Sequence, residues 1–319
     1  MRFESFSHPK AKDLSTPADD VVLHIPGRVT AVFDGASDAL RRQIRGVPIG
    51  RTAAIAVAQE TALLPADAAS WPVEAILSRL SAAIAEAVSP GTDGGPASTT
   101  AMIAFDTPDA MRLVGLGDTG FRVNGGIVEN IDLLPDRVSV PARVSLFKLL
   151  RQRHSPQDAE ELSQFAIGHG LQNAIQSGLI GPGEADEIIS HSIETARLSG
   201  ADDEIAELLS DGLRNQHKFS NRSDKRLGYG ILNGREPICG NAIDRVIAKS
   251  DLRSLEIFSD GYLVPAKGST VAEWEATHAA LEQEDQHHIQ APQAVKGSTS
   301  SHFFDDRTVA ILLFDGPAD

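Results

Sequence analysis

The sequence is poor in cysteine, in aromatic residues and in positive charge. A single cysteine, Cys239, stands among 319 residues, so no disulfide framework can form. Cysteine-based zinc sites need at least two sulfurs at short spacing and are excluded with it. The longest apolar runs, such as residues 310–314, fall far short of the roughly 20 residues that cross a bilayer, and no membrane partner is expected. The opening Met1-Arg2-Phe3-Glu4-Ser5 has no charged region followed by an apolar stretch, so no secretory signal is expected and the expected compartment is the cytoplasm. Lys and Arg number 29 against 44 Asp and Glu, a formal charge of −15. That balance repels nucleic-acid phosphates, and no nucleic-acid partner is expected. What is present is 41% hydrophobic and 23% charged residues, the composition of a globular protein long enough for a large core.

Residues 21–25 and 29–33 flank the turn signal Pro26-Gly27 and read as a hairpin. Residues 48–64 and 72–88 are alanine-rich, carry apolar side chains at helical spacing and have Pro near their starts, which predicts two helices. After a loop over 89–97, short apolar runs at 100–105, 111–115, 121–123 and 126–128 predict a meander. From about Pro141 to Gln216 the pattern turns helical, with twelve acidic against two basic residues between Pro156 and Gln216, a local charge of −10. Strands are predicted again at 228–232, 237–239 and 255–258, then a helix over 271–284 and a closing strand at 308–314. Hairpin-length links dominate, so the fold class is α+β with mainly antiparallel sheets. The expected organisation is a single domain over 1–319 with a helical, acidic insertion at 141–216.

Familiar sites are absent. Gly115-Leu116-Gly117-Asp118-Thr119-Gly120 fits the dinucleotide pattern, but strand and turn follow it where a pyrophosphate needs a helix N-terminus. Residues 46–52 lack the spacing and the lysine of a phosphate loop, and neither a nucleophile elbow nor a zinc-protease helix is present. The adjacent His287 and His288 read as a solvated loop.

What recurs is an apolar strand running into an aspartate beside glycine: Val32-Phe33-Asp34-Gly35, Leu116-Gly117-Asp118 and Phe258-Ser259-Asp260-Gly261, with Asp305-Asp306 preceding the last strand. Asp-Gly is also an ordinary turn dipeptide, and the chain has five, including Asp93-Gly94, Asp211-Gly212 and Asp315-Gly316. Any one alone reads as a turn. Several together do not, because converging carboxylates repel by about 4 kcal/mol per close pair at an effective dielectric near 20. Such a cluster either splays into solvent or holds hard divalent cations through oxygen ligands.

The motifs Val32-Phe33-Asp34-Gly35, Ser98-Thr99-Thr100-Ala101, Leu116-Gly117-Asp118-Thr119, Phe258-Ser259-Asp260-Gly261-Tyr262 and Asp305-Asp306-Arg307-Thr308-Val309 resemble, in order and across nearly the whole chain, the signatures of the metal-dependent serine/threonine protein phosphatases of type 2C. The resemblance implies two packed antiparallel β-sheets flanked by helices, an α-β-β-α sandwich. It implies a site for two manganese or magnesium ions at one end, with a possible third. By the same resemblance Asp34 bridges both metals and Gly35 lends its carbonyl, Asp260 and Asp305 are further ligands, and Asp118 belongs to the third, weaker site. Ala18-Asp19-Asp20-Val21 stands where the family has Asn-Glu-Asp, which makes Asp20 a ligand directly or through water.

The chain also departs from the family. Only Lys10 and Lys12 stand where an arginine usually holds substrate phosphate, Ala36-Ser37 replaces the residues that usually follow the bridging Asp-Gly, and Asp306 replaces an asparagine. Two basic clusters could supply phosphate contacts, Arg41 with Arg42 and Arg45, and Arg222 with Lys225 and Arg226, although the plainer reading of each is a solvated basic face. The function implied by the resemblance is a phosphomonoesterase that removes phosphate from phosphoserine or phosphothreonine in proteins by attack of a metal-bridging hydroxide, with a phosphorylated protein as partner. No side-chain general acid is evident, a histidine such as His302 being one candidate. The acidic insertion reads as a substrate-selecting or regulatory flap apart from the chemistry, or as plain solvated helices. The alternatives are a phosphatase-like module that binds phosphoproteins or regulates without turnover, and a hydrolase of small phosphate esters.

Overall fold

The computed structural model describes residues 1–38, 41–88 and 96–314; most of the loop read over 89–97, and the turns Asp93-Gly94 and Asp315-Gly316, lie outside them. The predicted hairpin is β2 (Val21–Ile25) and β3 (Val29–Gly35), preceded by β1 (Arg2–His8). A two-stranded ribbon, β4 (Gln43–Ile44) with β5 (Val47–Pro48), leads into α1 (Ile49–Leu63), followed by α2 (Val73–Ala87). The meander is β6 (Thr99–Asp106), β7 (Ala110–Leu116), β8 (Gly120–Val123) and β9 (Ile127–Glu129). Five helices follow: α3 (Leu134–Leu150), α4 (Pro156–His169), α5 (Leu171–Gln176), α6 (Pro182–Ala196) and α7 (Asp202–Asp211). The chain closes with β10 (Ile243–Ala248), β11 (Ser254–Phe258), α8 (Val271–Glu284) and β12 (Arg307–Leu313).

One sheet has the order β1-β12-β11-β8-β9 and the other β10-β7-β6-β3-β2, all neighbours antiparallel. Between them lies an apolar layer in which Val32, Met102, Met111 and Leu113 meet Phe121, Leu255, Ile257, Ala310 and Leu312. Strands β3 and β6 are buried on both faces, because their other side packs on α1 and α2 through Phe33, Ala53, Val57, Leu77 and Leu80. On the far sheet Phe258, Val309 and Ile311 pack against Trp274 of α8. The layers are therefore helix, sheet, sheet, helix, as expected. Helices α3 to α7 build a separate apolar core from residues such as Val138, Leu146, Ile188, Ile205 and Leu208.

Several boundaries differ from the sequence reading. The helical region begins at Leu134, with Pro135 in the first turn, and Pro141, the edge that the sequence suggests, lies inside α3. Residues 228–232 and 237–239 form no strand. They run irregularly with isolated bridges Ser220 to Tyr229 and Thr99 to Leu232, and Asn221 takes up their backbone, accepting from Ile231 N at 3.1 Å and Ile238 N at 3.2 Å. β1 and β10 were not foreseen.

Candidate metal and phosphate site

The topology gathers the aspartates. Asp34 is at the end of β3, which pairs with the start of β6, which pairs with the end of β7 just before Asp118. From there the chain crosses to β8 in the other sheet, where Gly120 faces Phe258 at the end of β11, two residues before Asp260. Phe258 faces Val309 at the start of β12, just after Asp305 and Asp306. Asp20 precedes β2, whose first residue Val21 faces Phe33. Strand ends from both sheets thus deliver all five predicted carboxylates to one end of the sandwich.

Neighbouring hydroxyls hold this end in shape. Thr99 Oγ1 donates to Asp34 O at 2.6 Å, and Thr100 and Thr119 share a hydrogen bond of 2.6 Å between β6 and the Asp118 turn. Ser259 Oγ donates to Asp20 Oδ2 at 2.8 Å and accepts from Thr308 N at 2.9 Å. Gly35 is a glycine by necessity, since a Cβ there would lie 2.6 Å from Asp19 O and 2.7 Å from the Gly50 backbone.

Burial and mutual repulsion push the carboxyls upward. Asp20 rises to about 8 through burial, Asp306 and Asp260. Asp260 rises to about 8 through burial, Asp305 and Asp118. Asp118 rises to about 7 through burial and Asp136, and Asp34 is raised well above its ordinary value by burial and by Asp20, Asp260, Asp118 and Asp305. Asp136, in the first turn of α3, joins the cluster and rises to about 7 through burial and Asp260. Asp305 runs the other way: burial raises it, but Lys296 and Lys10 outweigh that and hold it low.

Two lysines stand among the acids. Lys10 Nζ lies 3.2 Å from Asp306 Oδ2, 3.4 Å from Asp19 Oδ2 and 3.8 Å from Asp305 Oδ1, and donates to Ser37 Oγ at 2.6 Å. Lys296 Nζ donates to Asp305 Oδ2 at 2.7 Å. Asp306 is 4% exposed and also accepts from the backbone N–H groups of Lys10 at 2.6 Å and Asp19 at 3.1 Å, so its charge serves to tie three segments together.

The predicted basic clusters lie elsewhere. Arg222 is exposed and bidentate to Asp224 at 2.6 and 2.7 Å, Lys225 approaches Glu207 of α7 at 4.0 Å, and Arg226 is exposed. Arg41 and Arg45 are exposed in left-handed backbone around the short ribbon, and Arg42 pairs with Asp38. His302 is exposed on a bridge with Ala11, beside Lys10 in the chain. His287 and His288 are no solvated loop. His288 is 0% exposed and bonded to Glu282 at 2.8 Å, and His287 approaches the buried Glu160 at 3.4 Å.

Every donor in the cluster is oxygen, which suits a hard divalent cation, and Oδ1 of Asp19 and of Asp20 is buried without a hydrogen-bond partner. A cation would satisfy such atoms. Among the described residues no three carboxylate, imidazole or thiol side chains stand ready to hold one ion, and the Asp305 carboxylate is turned to lysine. The donor set fits a metal; the lysine contact is what a metal at Asp305 would have to replace.

Neither family models nor curated proteins match the chain. Solved structures similar to it include a bacterial serine phosphatase (11% identity, TM-score 0.48, all of both chains) and the serine/threonine phosphatase Stp1 of Staphylococcus aureus (12%, 0.47, 99% of this chain and 96% of that one). A third is the serine/threonine phosphatase PstP of Mycobacterium tuberculosis (16%, 0.44, 97% of each chain). Identity with each is low, and the reading of the site rests on its own residues. No helix of the described residues is long and apolar enough to cross a membrane.

Proposed function

We propose that the chain is a metal-dependent phosphomonoesterase acting on phosphoserine or phosphothreonine in proteins, with manganese or magnesium as cofactor. The observation that carries this is the convergence of Asp20, Asp34, Asp118, Asp260 and Asp305 from two sheets at one end of the sandwich, with lysine ammonium groups beside them. Asp34, Gly35, Asp260 and Asp305 would hold two cations, with Asp20 supporting through Ser259 and Asp118 available for a third. Bound there, the cations would lower the pKa of a water and offset phosphoryl charge. Lys10 does the work of the missing arginine: its three donors face the acids from the first segment of the chain, and a phosphoryl oxygen could take the place of Ser37 or Asp19 as its acceptor. The basic clusters at 41–45 and 222–226 form peripheral surface on this reading.

The deciding experiment follows release of phosphate from a chromogenic ester and from a phosphothreonine peptide, in chelator and with added manganese. Metal-dependent release from both supports the proposal. Manganese binding without release from either would favour the phosphoprotein-binding module, and release from the small ester alone the small-substrate hydrolase.

A further inference from the structure

The lysine on Asp305 is set in place by the helical insertion. Lys296 is followed by Gly297, whose N–H donates to Glu160 Oε1 of α4 at 2.7 Å. Gln164, one turn further along α4, donates to that same oxygen and to Gly297 O, each at 2.8 Å. Glu160 and Arg143 of α3 form an ion pair in which both side chains are 0% exposed, and Arg143 also donates to His288 O at 3.2 Å. From the other side Ser298 Oγ donates to Glu282 Oε1 at 2.8 Å and its N–H donates to Gln286 O at 2.8 Å. A Cβ at residue 297 would lie 2.4 Å from Arg143 Nη2 and 2.5 Å from Glu160 Oε2, the ends of the buried ion pair, so the segment or the pair would have to shift. Burial alone would raise Glu160, but His287 and Arg143 outweigh it and hold the carboxylate down at about 2. A short segment gripped this firmly presents its one lysine to one carboxylate.

We propose that Lys296 is a built-in counter-cation of the carboxylate centre, positioned by Glu160 and Gln164, and that a divalent cation taking Asp305 as ligand must displace it, so that the helical insertion sets how tightly the centre loads metal. The inference rests on the metal-dependent reading above. Its physical basis is competition: an ammonium 2.7 Å from Asp305 Oδ2 occupies a lone pair that a metal needs and repels the incoming cation across the same few ångströms. Lys296 is a positioning residue here and touches no substrate.

Manganese binding to the full chain, measured by calorimetry with thermal unfolding as the check on folding, tests it. Lys296→Met keeps the stem and removes the charge on a part-exposed residue, and is expected to tighten manganese binding by about tenfold or more, the scale of one unit charge at this distance in partly wet protein. Lys296→Arg should restore the wild-type value to within a few-fold. Gly297→Ala, which drives the segment off Glu160 but retains Lys296, should also tighten binding, and should add nothing in the Lys296→Met background. If Gly297→Ala fails to fold, Gln164→Leu asks the same question from a half-buried position of the clamp. Manganese binding with an affinity unchanged or weakened in Lys296→Met overturns the competition, and an unchanged affinity in folded Gly297→Ala overturns the role of the insertion. Absence of manganese binding in every variant overturns the metal-dependent reading itself, and this inference with it.

Discussion

Replacing Asp260 by asparagine should make the metal-free protein more stable, although it removes a candidate ligand. The Asp260 carboxyl is pushed from 3.8 to about 8, first by burial and then by Asp305 and Asp118, so the folded chain holds a proton there that the unfolded chain has released. With more protons bound in the folded state, stability falls as pH rises from about 4, and the full penalty from this group is reached once it ionises in the folded chain near 8. Each pKa unit is about 1.4 kcal/mol, which bounds the penalty at about 6 kcal/mol. The residue keeps partial solvent exposure, and screening leaves about 1–3 kcal/mol of that bound. Asparagine keeps the shape and cannot ionise. For a chain of this size the relief corresponds to a rise in unfolding temperature of about 2–6 °C at pH 8.5 in chelator, shrinking toward zero near pH 4.5. With manganese present the order should reverse, because only the wild type retains the full ligand set and gains stability from bound metal. Scanning calorimetry of both proteins at the two pH values, with and without manganese, measures all four quantities. A wild type that is equally or more stable than Asp260→Asn at pH 8.5 in chelator would refute the claim that these carboxylates strain the fold.

Other outcomes follow from the same structure. Lys10→Ala should raise KM for a phosphate ester by about tenfold with kcat within a few-fold, since a charge contact to phosphate exists in ground and transition states alike; Arg222→Ala and Arg45→Ala should leave both near wild type in the same assay. Chelation should abolish ester hydrolysis and added manganese restore it, as measured by phosphate release. Arg122 donates to Glu256 at 3.0 Å and to Gly268 O at 2.6 Å in a pair that is almost fully buried, so Arg122→Ala should lower urea stability by about 3–5 kcal/mol by leaving the carboxylate unpaired.

Elements with strong local periodicity were readable from sequence. The helix expected over 271–284 is α8, held by a capping box in which Thr270 and Glu273 bond each other's backbone N–H, and the hairpin and both alanine-rich helices fall within a residue or two of their expected ends. β1 and β10 escaped because they are edge strands. β1 mixes Phe with Ser, His and charged residues, and β10 leaves most of its side chains to solvent. The aspartates announced themselves through strand-end position. Lys10 stands out only by its place in the family pattern, its contact with Asp306 spanning 296 positions, and Asp136 and Lys296, in a first helical turn and an irregular loop, lie outside any motif. His287 and His288 look solvated in the sequence because their partners lie elsewhere in the chain: His287 stands half-buried against Phe147 with the Glu160 carboxylate 3.4 Å away, and His288 is enclosed beside Phe304.

The route from β7 to β8 leaves one sheet and enters the other between Leu116 and Gly120, so the acidic end straddles the seam of the sandwich. The spacing of Asp34 from Asp260 therefore works as a caliper on how the two sheets sit over each other. Trimming a side chain at the seam, Met102 or Leu312 for instance, lets the sheets settle by fractions of an ångström. On the metal-dependent reading proposed above, metal affinity would then be a ruler for core packing well away from any ligand.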